Sequence, residues 1–314
     1  MTSPWIEPAP PLWLIRGERA VALDPPVAAG IINVTPDSFS DGGLYAEPPE
    51  AVRHALELYD EGAAILDLGG ESTRPGASCA GEEEEQARLL PVLEELAAGR
   101  DSRKSAVAPS PSPFLFFPLL SIDTWRASTA GLLLEKGADI INDISGGLFD
   151  PAMDEVLATF RPGYILGHCP EKPRDMQKAP RYSNALEEIY AWFSTRLEAL
   201  DKAGLPPEHV VLDPGLGFGK TLEHNLEILR GLERLHSLGR PLCLGISRKS
   251  FFGDLLGLRQ GRERDEATRI LVALLAARGV RIHRVHDVGG AMLALKLARS
   301  VSPLPESLVQ TRNN

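Results

Sequence analysis

The chain has 314 residues, of which 43% are hydrophobic, so it is long and apolar enough to bury a large core. Its formal net charge is -10 and no run is rich in lysine or arginine, which argues against nucleic acid as a partner. Its three cysteines form no CxxC pair and no apolar run approaches a membrane span, so we expect a cytoplasmic protein without disulfides, a zinc site or a membrane partner.

Short apolar segments alternate with amphipathic segments along residues 27–300. Eight apolar segments predict buried strands: Val27–Asn33, Ala64–Leu68, Phe116–Asp123, Ala138–Asp143, Tyr164–His168, Val210–Asp213, Leu242–Ser247 and Arg281–His286. Predicted helices follow at Ala51–Glu61, Glu82–Ala98, Ala127–Glu135, Ala185–Ala203, Leu222–Leu238 and Ala267–Ala277, with Asn184 and Thr221 as N-caps. Eight such units favour an α/β fold, a single-domain (β/α)8 TIM barrel. A doubly wound open sheet is the alternative, because alternation does not prove closure.

Three segments lie outside this alternation. Residues 1–26 form an N-terminal arm, and residues 301–314 predict a polar C-terminal tail. Residues 99–113 carry serines, basic residues and three prolines between the second helix and the third strand. They predict a flexible surface insertion that leads into the amino end of a strand.

A polar side chain stands at the carboxyl end of every predicted strand. In chain order these positions are Asn33, Gly69–Arg74, Asp123, Asn142–Asp143, His168, Asp213, Ser247–Ser250 and Arg284–Asp287. One polar strand end is an ordinary turn or cap. The carboxyl ends of barrel strands all meet at one mouth, however, so eight together indicate a site.

The side-chain types suit two kinds of ligand group. One set suits the edge of a flat heterocycle rich in N–H groups: Asp123, Asn142 and Asp213. Another suits a phosphate-like group, with a metal helping to neutralise it: Asn33, Thr73, Arg284 and His286. Lys249 suits either group. The stretch GLGFGKT from Gly215 resembles a phosphate-binding loop, but Pro214 stands where a P-loop requires its first glycine.

Residues 30–43 read GIINVTPDSFSDGG, which resembles the first signature of the dihydropteroate synthases, pterin-binding enzymes of the folate pathway. Other segments are similar to further motifs of that family: DLGGESTRPGA from Asp67, SIDTWR from Ser121, ADIINDISGG from Ala138, DPGLGFGKT from Asp213, GISRKSF from Gly245 and RVHDV from Arg284. They occur in this order over nearly the whole predicted barrel. The chain is therefore identified as a member of that family.

The resemblance implies condensation of 6-hydroxymethyl-7,8-dihydropterin pyrophosphate with p-aminobenzoate to give 7,8-dihydropteroate and pyrophosphate. The pterin site that it implies is Asp123, Asn142, Asp213 and Lys249, with Phe218 and Arg284 lining the ring. The pyrophosphate site is Asn33, Thr73, Arg284 and His286, with Mg²⁺ as cofactor bound by Asn33 and Asp41. The p-aminobenzoate site is Phe39, Thr73, Pro75, Lys249 and Ser250, beneath loops that include Arg74.

The resemblance also implies how the reaction proceeds. It requires no nucleophilic side chain, and the groups that supply charge and position are Asp123, Asp213, Lys249, Arg284 and His286. A homodimer is implied through helices on the barrel wall.

One position departs from the family. Cys169 stands where a methionine normally packs on the pterin, and we expect weaker packing but not lost binding. Two alternatives remain: a pterin-binding methyltransferase domain, which does not need residues that grip phosphate, and a paralogue that binds pterin without turnover.

Overall fold

A computed structural model of the protein describes residues 12–35, 48–71, 80–104, 118–177, 180–258 and 261–301. Several residues of the expected site lie outside the described residues: Phe39, Asp41, Thr73, Arg74 and Pro75. So do residues 105–113 of the expected insertion, and residues 302–314 of the expected tail.

The strands form a two-stranded hairpin and a barrel. The hairpin strands are β1 (Leu12–Ile15) and β2 (Arg19–Ala22), and the barrel strands are β3 (Val27–Asn33), β4 (Ile65–Gly69), β5 (Leu119–Asp123), β6 (Ile140–Asp143), β7 (Gly163–Gly167), β8 (Val210–Asp213), β9 (Cys243–Gly245) and β10 (Ile282–Val285). The eight barrel strands are parallel, in the order β8-β7-β6-β5-β4-β3-β10-β9. A parallel bridge between Leu212 and Leu242 joins the two outer strands of that order. The predicted barrel is therefore confirmed, since an open doubly wound sheet would leave these strands apart.

The helices lie between the strands in sequence. They are α1 (Pro48–Asp60), α2 (Glu82–Lys104), α3 (Ala127–Glu135), α4 (Met153–Phe160), α5 (Ala185–Ala203), α6 (Leu222–Arg230), α7 (Leu232–His236), α8 (Phe251–Leu256), α9 (Asp265–Ala277) and α10 (Val288–Val301). The predicted helix Leu222–Leu238 is broken at Gly231 into α6 and α7. Within the described residues, no helix is both long and apolar enough to cross a membrane.

The second helix extends further than expected. Residues 99–104, assigned from the sequence to a flexible insertion, are the last residues of α2. Arg100 explains the extension, because its guanidinium donates to Asp139 Oδ2 at 2.8 Å and to the Gly137 carbonyl at 3.1 Å. These contacts tie the last part of the helix to the neighbouring strand and turn.

One apolar layer closes the amino-terminal end of the barrel. Every barrel strand contributes at least one buried side chain to it: Val27, Ala29, Ile65, Leu119, Ile140, Ile165, Val211, Cys243 and Ile282. The hairpin, which belongs to the expected N-terminal arm, packs Trp13, Ile15 and Val21 against this layer. The Trp13 indole donates to the His209 carbonyl at 2.7 Å. This end of the barrel is therefore plugged, which leaves the carboxyl-terminal mouth as the place for chemistry.

Candidate active site

The polar side chains of the site follow from strand alternation. Alternate residues of a strand share a face, so Asp67, Ser121 and Arg284 face the same interior as the apolar residues two places before them. The pairing register places Asn33, Gly69, Asp123 and Asn142 in one row across four adjacent strands. The row lies at the carboxyl ends of these strands, as the sequence predicted.

Asp67 is the centre of a hydrogen-bond network inside the barrel. Its Oδ1 accepts from Ser121 Oγ at 2.6 Å, and its Oδ2 accepts from Asn142 Nδ2 at 3.1 Å and from Arg284 Nε at 2.5 Å. The Asp67 side chain is 1% exposed. The network therefore fixes the orientation of Asn142 and Arg284 from below the mouth.

Arg284 crosses the barrel interior. Besides Asp67 on β4, it donates from Nη2 to Asp123 Oδ2 on β5 at 2.5 Å, although the strands beside its own are β3 and β9. Burial raises the pKa of the Asp123 carboxyl to about 7, against the opposing effect of the Arg284 charge. The Arg284 guanidinium has its pKa raised by the two carboxylates. The result is one part-buried cation held between two buried carboxyl groups.

Asp213 and Lys249 form the opposite side of the mouth. Asp213 Oδ1 accepts from the Gly215 amide at 2.8 Å, and burial raises the pKa of this carboxyl. The Lys249 ammonium lies 3.7 Å from the centroid of the Phe218 ring, a cation–π contact. Burial lowers the pKa of Lys249 to about 8, while the charge of Asp213 acts to raise it.

Two inward glycines keep space between these side chains. A Cβ placed on Gly245 would lie 3.7 Å from Asp213 Oδ2 and 3.9 Å from Arg284 Cδ. A Cβ on Gly69 would lie 3.7 Å from Asp123 Oδ2 and 3.9 Å from Asn33 Oδ1. A side chain at either position would extend between these polar groups.

His286 and Ser250 lie toward the edge of the mouth. His286 Nδ1 is 2.9 Å from Ser247 Oγ, which also accepts from the His286 amide at 3.2 Å. His286 lines a cavity of about 340 Å³ together with Arg248 and Arg269. Ser250 lines a separate cavity of about 570 Å³, beside Lys220 and Thr221. Neither cavity is lined by Asp123, Asn142, Asp213 or Arg284.

Cys169 is fully buried at the end of β7. Its Sγ donates to the Glu171 carbonyl at 2.9 Å and lies 3.8 Å from Met176 Sδ. Burial raises the pKa of the thiol to about 11, so the thiol stays protonated at neutral pH. The expectation that it packs less well than a methionine on the pterin stays a prediction.

Several contacts were not anticipated from the sequence. The bonds of Asp67, the Ser247–His286 pair and the contact of Lys220 with His168 all support site residues. Asp67 and Ser121 carry a usable signal, because each is a polar residue inside an apolar strand, two places before its end. The contact of Lys220 with His168 joins residues 52 positions apart, and no local pattern marks it.

Asn33 offers a side-chain oxygen of the kind that Mg²⁺ binds. Among the described residues no group of three His, Cys, Asp or Glu side chains is close enough to hold a metal, and Asp41 is outside them. Mg²⁺ commonly takes one or two protein oxygens and completes its shell with water and substrate phosphates. The part-exposed Asn33 amide at the mouth fits one such ligand.

Comparison with known proteins identifies the family. The sequence model of the family described as pterin binding enzyme matches residues 29–286. The dihydropteroate synthase of Mycobacterium leprae is 40% identical over 286 residues, covering 88% of this chain and 94% of that protein. That of Bacillus subtilis is 40% identical over 260 residues, covering 82% of each.

Solved structures agree. Yersinia pestis dihydropteroate synthase with a sulfonamide drug complex has a TM-score of 0.81 at 36% identity, covering 92% of this chain and 98% of that one. The Xanthomonas albilineans enzyme in complex with 7,8-dihydropteroate has a TM-score of 0.78 at 34% identity, covering 94% and 100%. These synthases decide against the methyltransferase alternative. The chain belongs to the pterin-binding enzyme family, among the dihydropteroate synthases, transferases that form the C–N bond of dihydropteroate in folate biosynthesis.

Proposed function

We propose that this C–N bond forms at the carboxyl-terminal mouth of the barrel, from 6-hydroxymethyl-7,8-dihydropterin pyrophosphate and p-aminobenzoate. The observation that carries the proposal is the network that joins Asp67, Asn142, Arg284 and Asp123 across the interior. It presents a fixed row of donors and acceptors, which is the preorganisation that recognition of a flat heterocycle requires.

The pterin would lie between Asp123 and Asn142 on one side and Asp213 on the other. The absence of a side chain at Gly245 is compatible with this placement, because a group against its Cα would be in van der Waals contact with Asp213 and the stem of Arg284. Lys249 would approach the ring from the Phe218 side. Carboxylates accept from the ring N–H groups, and the Asn142 amide can both donate and accept.

The pyrophosphate would extend from the pterin toward Arg284 and His286. Carboxylates occupy Nε and Nη2 of Arg284, so Nη1 is the nitrogen that we expect to reach a phosphate oxygen. The cavity beside His286 is lined by three arginines and four carboxylates, and two of these arginines are ion-paired, Arg248 with Asp265 and Arg269 with Asp287. Arg284 and His286 are therefore the groups that we propose for the phosphates. Thr73 is assigned here by resemblance alone.

The p-aminobenzoate would be bound at Lys249 and Ser250, together with Phe39, Thr73 and Pro75. The cavity beside Ser250 supports a ligand at this side of the mouth. The loop that contains Arg74 would shield the reacting atoms from water.

The chemistry is a dissociative substitution in which the enzyme supplies charge and position. The C–O bond between the pterin methylene and the pyrophosphate breaks, and the pterin ring delocalises the resulting cation. Asp123 and Asp213 stabilise that cation, while Arg284 and His286 stabilise the departing oxygens. The arylamine lone pair then forms the C–N bond, and the amine proton is released to water.

Magnesium would be held by Asn33 and Asp41 and by oxygens of the pyrophosphate. When bound, it supplies charge that neutralises the leaving group. The proposal of Mg²⁺ rests on the family resemblance and on the oxygen ligand at Asn33.

Purified protein supplied with the pterin pyrophosphate and Mg²⁺ tests the proposal. Pyrophosphate release that depends on added p-aminobenzoate is the expected result. Pyrophosphate release at the same rate without p-aminobenzoate would contradict the condensation. No release at all would favour a paralogue that binds pterin without turnover.

Asp213→Asn tests the role of charge in this substitution. The amide keeps the shape of the carboxylate but cannot stabilise a cation, so we expect kcat to fall by about 10²- to 10³-fold. Steady-state kinetics with both substrates saturating give the answer. Asp201→Asn, on the exposed end of α5, is the control. An Asp213→Asn protein with near-normal turnover would contradict the mechanism.

We further propose a homodimer in the cytoplasm. Apolar side chains spaced four apart are exposed on two neighbouring helices: Ile270 and Leu274 on α9, and Leu293, Leu297 and Val301 on α10. Such a patch is expected at a contact between copies of the chain. Two free, buried cysteines, Cys169 and Cys243, agree with a reducing compartment.

A further inference from the structure

Lys220 carries its charged group inside the protein, in the loop between β8 and α6. The residue is 4% exposed, and its Nζ lies 2.9 Å from the Phe218 carbonyl, 3.1 Å from the His168 carbonyl and 3.2 Å from His168 Nδ1. Within the described part of the chain, it forms no ion pair with a carboxylate. Burial lowers its pKa to about 7 and lowers the pKa of His168 well below its usual value. A buried lysine of this kind needs an explanation, because desolvation of the ammonium is costly.

The surroundings hold Lys220 in either protonation state. As an ammonium it donates to both carbonyls and to an unprotonated Nδ1 of His168. As a neutral amine it donates to both carbonyls and accepts from Nδ1–H in the other tautomer of the neutral imidazole. The contact therefore persists through the pKa of the lysine. This behaviour suits a residue that holds two backbone segments together, here called a clamp, better than it suits a proton donor.

The loop that Lys220 contacts is rich in glycine. Gly215, Gly217 and Gly219 all have positive φ, at 68°, 78° and 59°, in a region where glycine is the least strained residue. Glycines at three alternate positions leave the backbone free to adopt many other conformations. The loop makes one turn bond, from the Phe218 amide to the Gly215 carbonyl at 3.0 Å, and Asp213 and Asn225 accept from the Gly215 and Gly217 amides at 2.8 Å each. The remaining contacts that hold it come from β7 and the segment after it.

Those contacts join the loop to the end of β7. A Cβ on Gly215 would lie 2.1 Å from the His168 carbonyl oxygen, so the two backbones are in direct contact. Lys220 bonds across this contact from the inside. On the outside, Gln177 Nε2 donates to the Gly217 carbonyl at 2.7 Å. Between the two bonds, Phe218 presents its ring to Lys249.

We infer that Lys220 is a positioning residue, which clamps the β8–α6 loop to the end of β7 and so holds Phe218 against Lys249 at the pterin site. The effect on substrate rests on the proposed function, because it requires that Phe218 and Lys249 bind the pterin. The clamp itself does not, since it is made of contacts within the chain.

Lys220→Met tests the inference, because methionine keeps the length of the side chain and removes every N–H. We expect the Kd for 7,8-dihydropteroate, measured by calorimetry, to rise about tenfold, and kcat/KM for the pterin pyrophosphate to fall by a similar factor. In a Phe218→Ala background the same substitution should change either quantity by less than about twofold, because the ring it positions is gone. Equal effects in both backgrounds would mean a structural role only.

Three further measurements keep the result decisive. Hydrogen exchange of residues 213–225 should become faster in Lys220→Met, and exchange equal to wild type overturns the clamp whether or not ligand binds. The exposed Gln177→Leu, which cuts the outer bond without burying a new group, should give the same changes to a smaller degree even if Lys220→Met folds poorly. Lys202→Met, on the exposed side of α5, should change nothing.

A wild-type protein that neither binds dihydropteroate nor releases pyrophosphate would contradict the proposed function and not the clamp.

Discussion

At the scale of single residues, Asp67 orients two side chains that we propose bind substrate, Asn142 and Arg284. Each of its two oxygens accepts hydrogen bonds: Ser121 donates to one, while Asn142 and Arg284 donate to the other. Because the carboxylate is buried, its charge must be matched, and Arg284 supplies the match. A guanidinium fixed by Asp67 and Asp123 cannot rotate away from the mouth. It is preorganised before substrate arrives.

We expect Asp67→Asn to lower kcat/KM for the pterin pyrophosphate by about 10²-fold, with little loss of folded protein. The amide is isosteric, yet it removes one of the two charges that orient Arg284, and small displacements of a binding group are costly. Steady-state kinetics on the variant measure the effect. Ser121→Ala removes one neutral bond to the same carboxylate and should cost less. A larger loss in Ser121→Ala than in Asp67→Asn would contradict this role.

Asp123 gives the enzyme a pH dependence with a definite sign. Its pKa is raised to about 7 by burial. In the proposed mechanism the ionised carboxylate accepts from pterin N–H groups and stabilises a cation. We therefore expect kcat/KM to fall tenfold per pH unit below pH 7. The pH profile of Asp123→Asn should lack this descending limb, at a much lower activity. A wild-type profile that is flat from pH 6 to 8 would contradict the assignment.

At the scale of elements, β10 carries a charged side chain on its inner face and a buried histidine on its outer face. Arg284 points into the barrel, while His283 points outward and is fully buried between the strand and its helices. Burial lowers the pKa of His283 to about 4. The folded protein therefore resists protonation at a position where the unfolded chain accepts a proton near pH 6.5.

The low pKa of His283 predicts acid sensitivity. Above pH 6.5 the imidazole is neutral in both states and contributes nothing to the pH dependence. Between pH 6.5 and about 4 the unfolded chain binds more protons, so the free energy of unfolding falls by on the order of 3 kcal/mol, and below pH 4 this fall ends. Denaturant unfolding of His283→Met across this range should show a shallower decline than wild type. A decline in His283→Met as steep as that of the wild type would rule out the prediction.

The elements also show how far sequence patterns reach. The bounds of β3, β8, α3 and α5 follow from apolar runs and periodicity, and the Asn184 and Thr221 side chains cap their helices as expected. The strand expected at Leu242–Ser247 ends at Gly245, because Arg248 adopts positive φ and turns the chain. Tertiary bonds hold that turn, since Arg248 donates from Nε and Nη2 to Asp265 at 2.7 and 2.9 Å. Local pattern cannot show such a contact.

For the site, too, the sequence predicted the residues at strand ends but not the contacts that orient them. Strand ends identified Asn33, Asp123, Asn142, Asp213 and Arg284, because topology alone brings them to one mouth. The side chains that orient them come from other elements at long sequence separation. An ammonium such as that of Lys220 is read from the sequence as exposed, and only the fold shows that two carbonyls and an imidazole surround it.

At the scale of the whole molecule, the barrel has one closed end, one open end and one apolar side. The hairpin closes the amino-terminal end, so ligands enter from the mouth. The apolar side is the patch on α9 and α10, where Leu293 is 71% exposed and Leu297 is 62% exposed. The patch faces away from the strands that carry the site, so assembly through it would leave the mouth accessible.

Leu293→Asp should therefore convert the proposed dimer to monomers. In a twofold contact each substitution occurs twice, and an unpaired buried carboxylate is costly, so we expect the dimer Kd to rise by more than about 10²-fold. Sedimentation equilibrium measures it. Leu12→Asp is a matched control, because Leu12 is similarly exposed, at 53%, but lies on the hairpin. Since each barrel holds its own described site residues, monomers that stay folded should retain turnover. A Leu293→Asp protein that remains dimeric, or a Leu12→Asp protein that dissociates, would place the contact on another face.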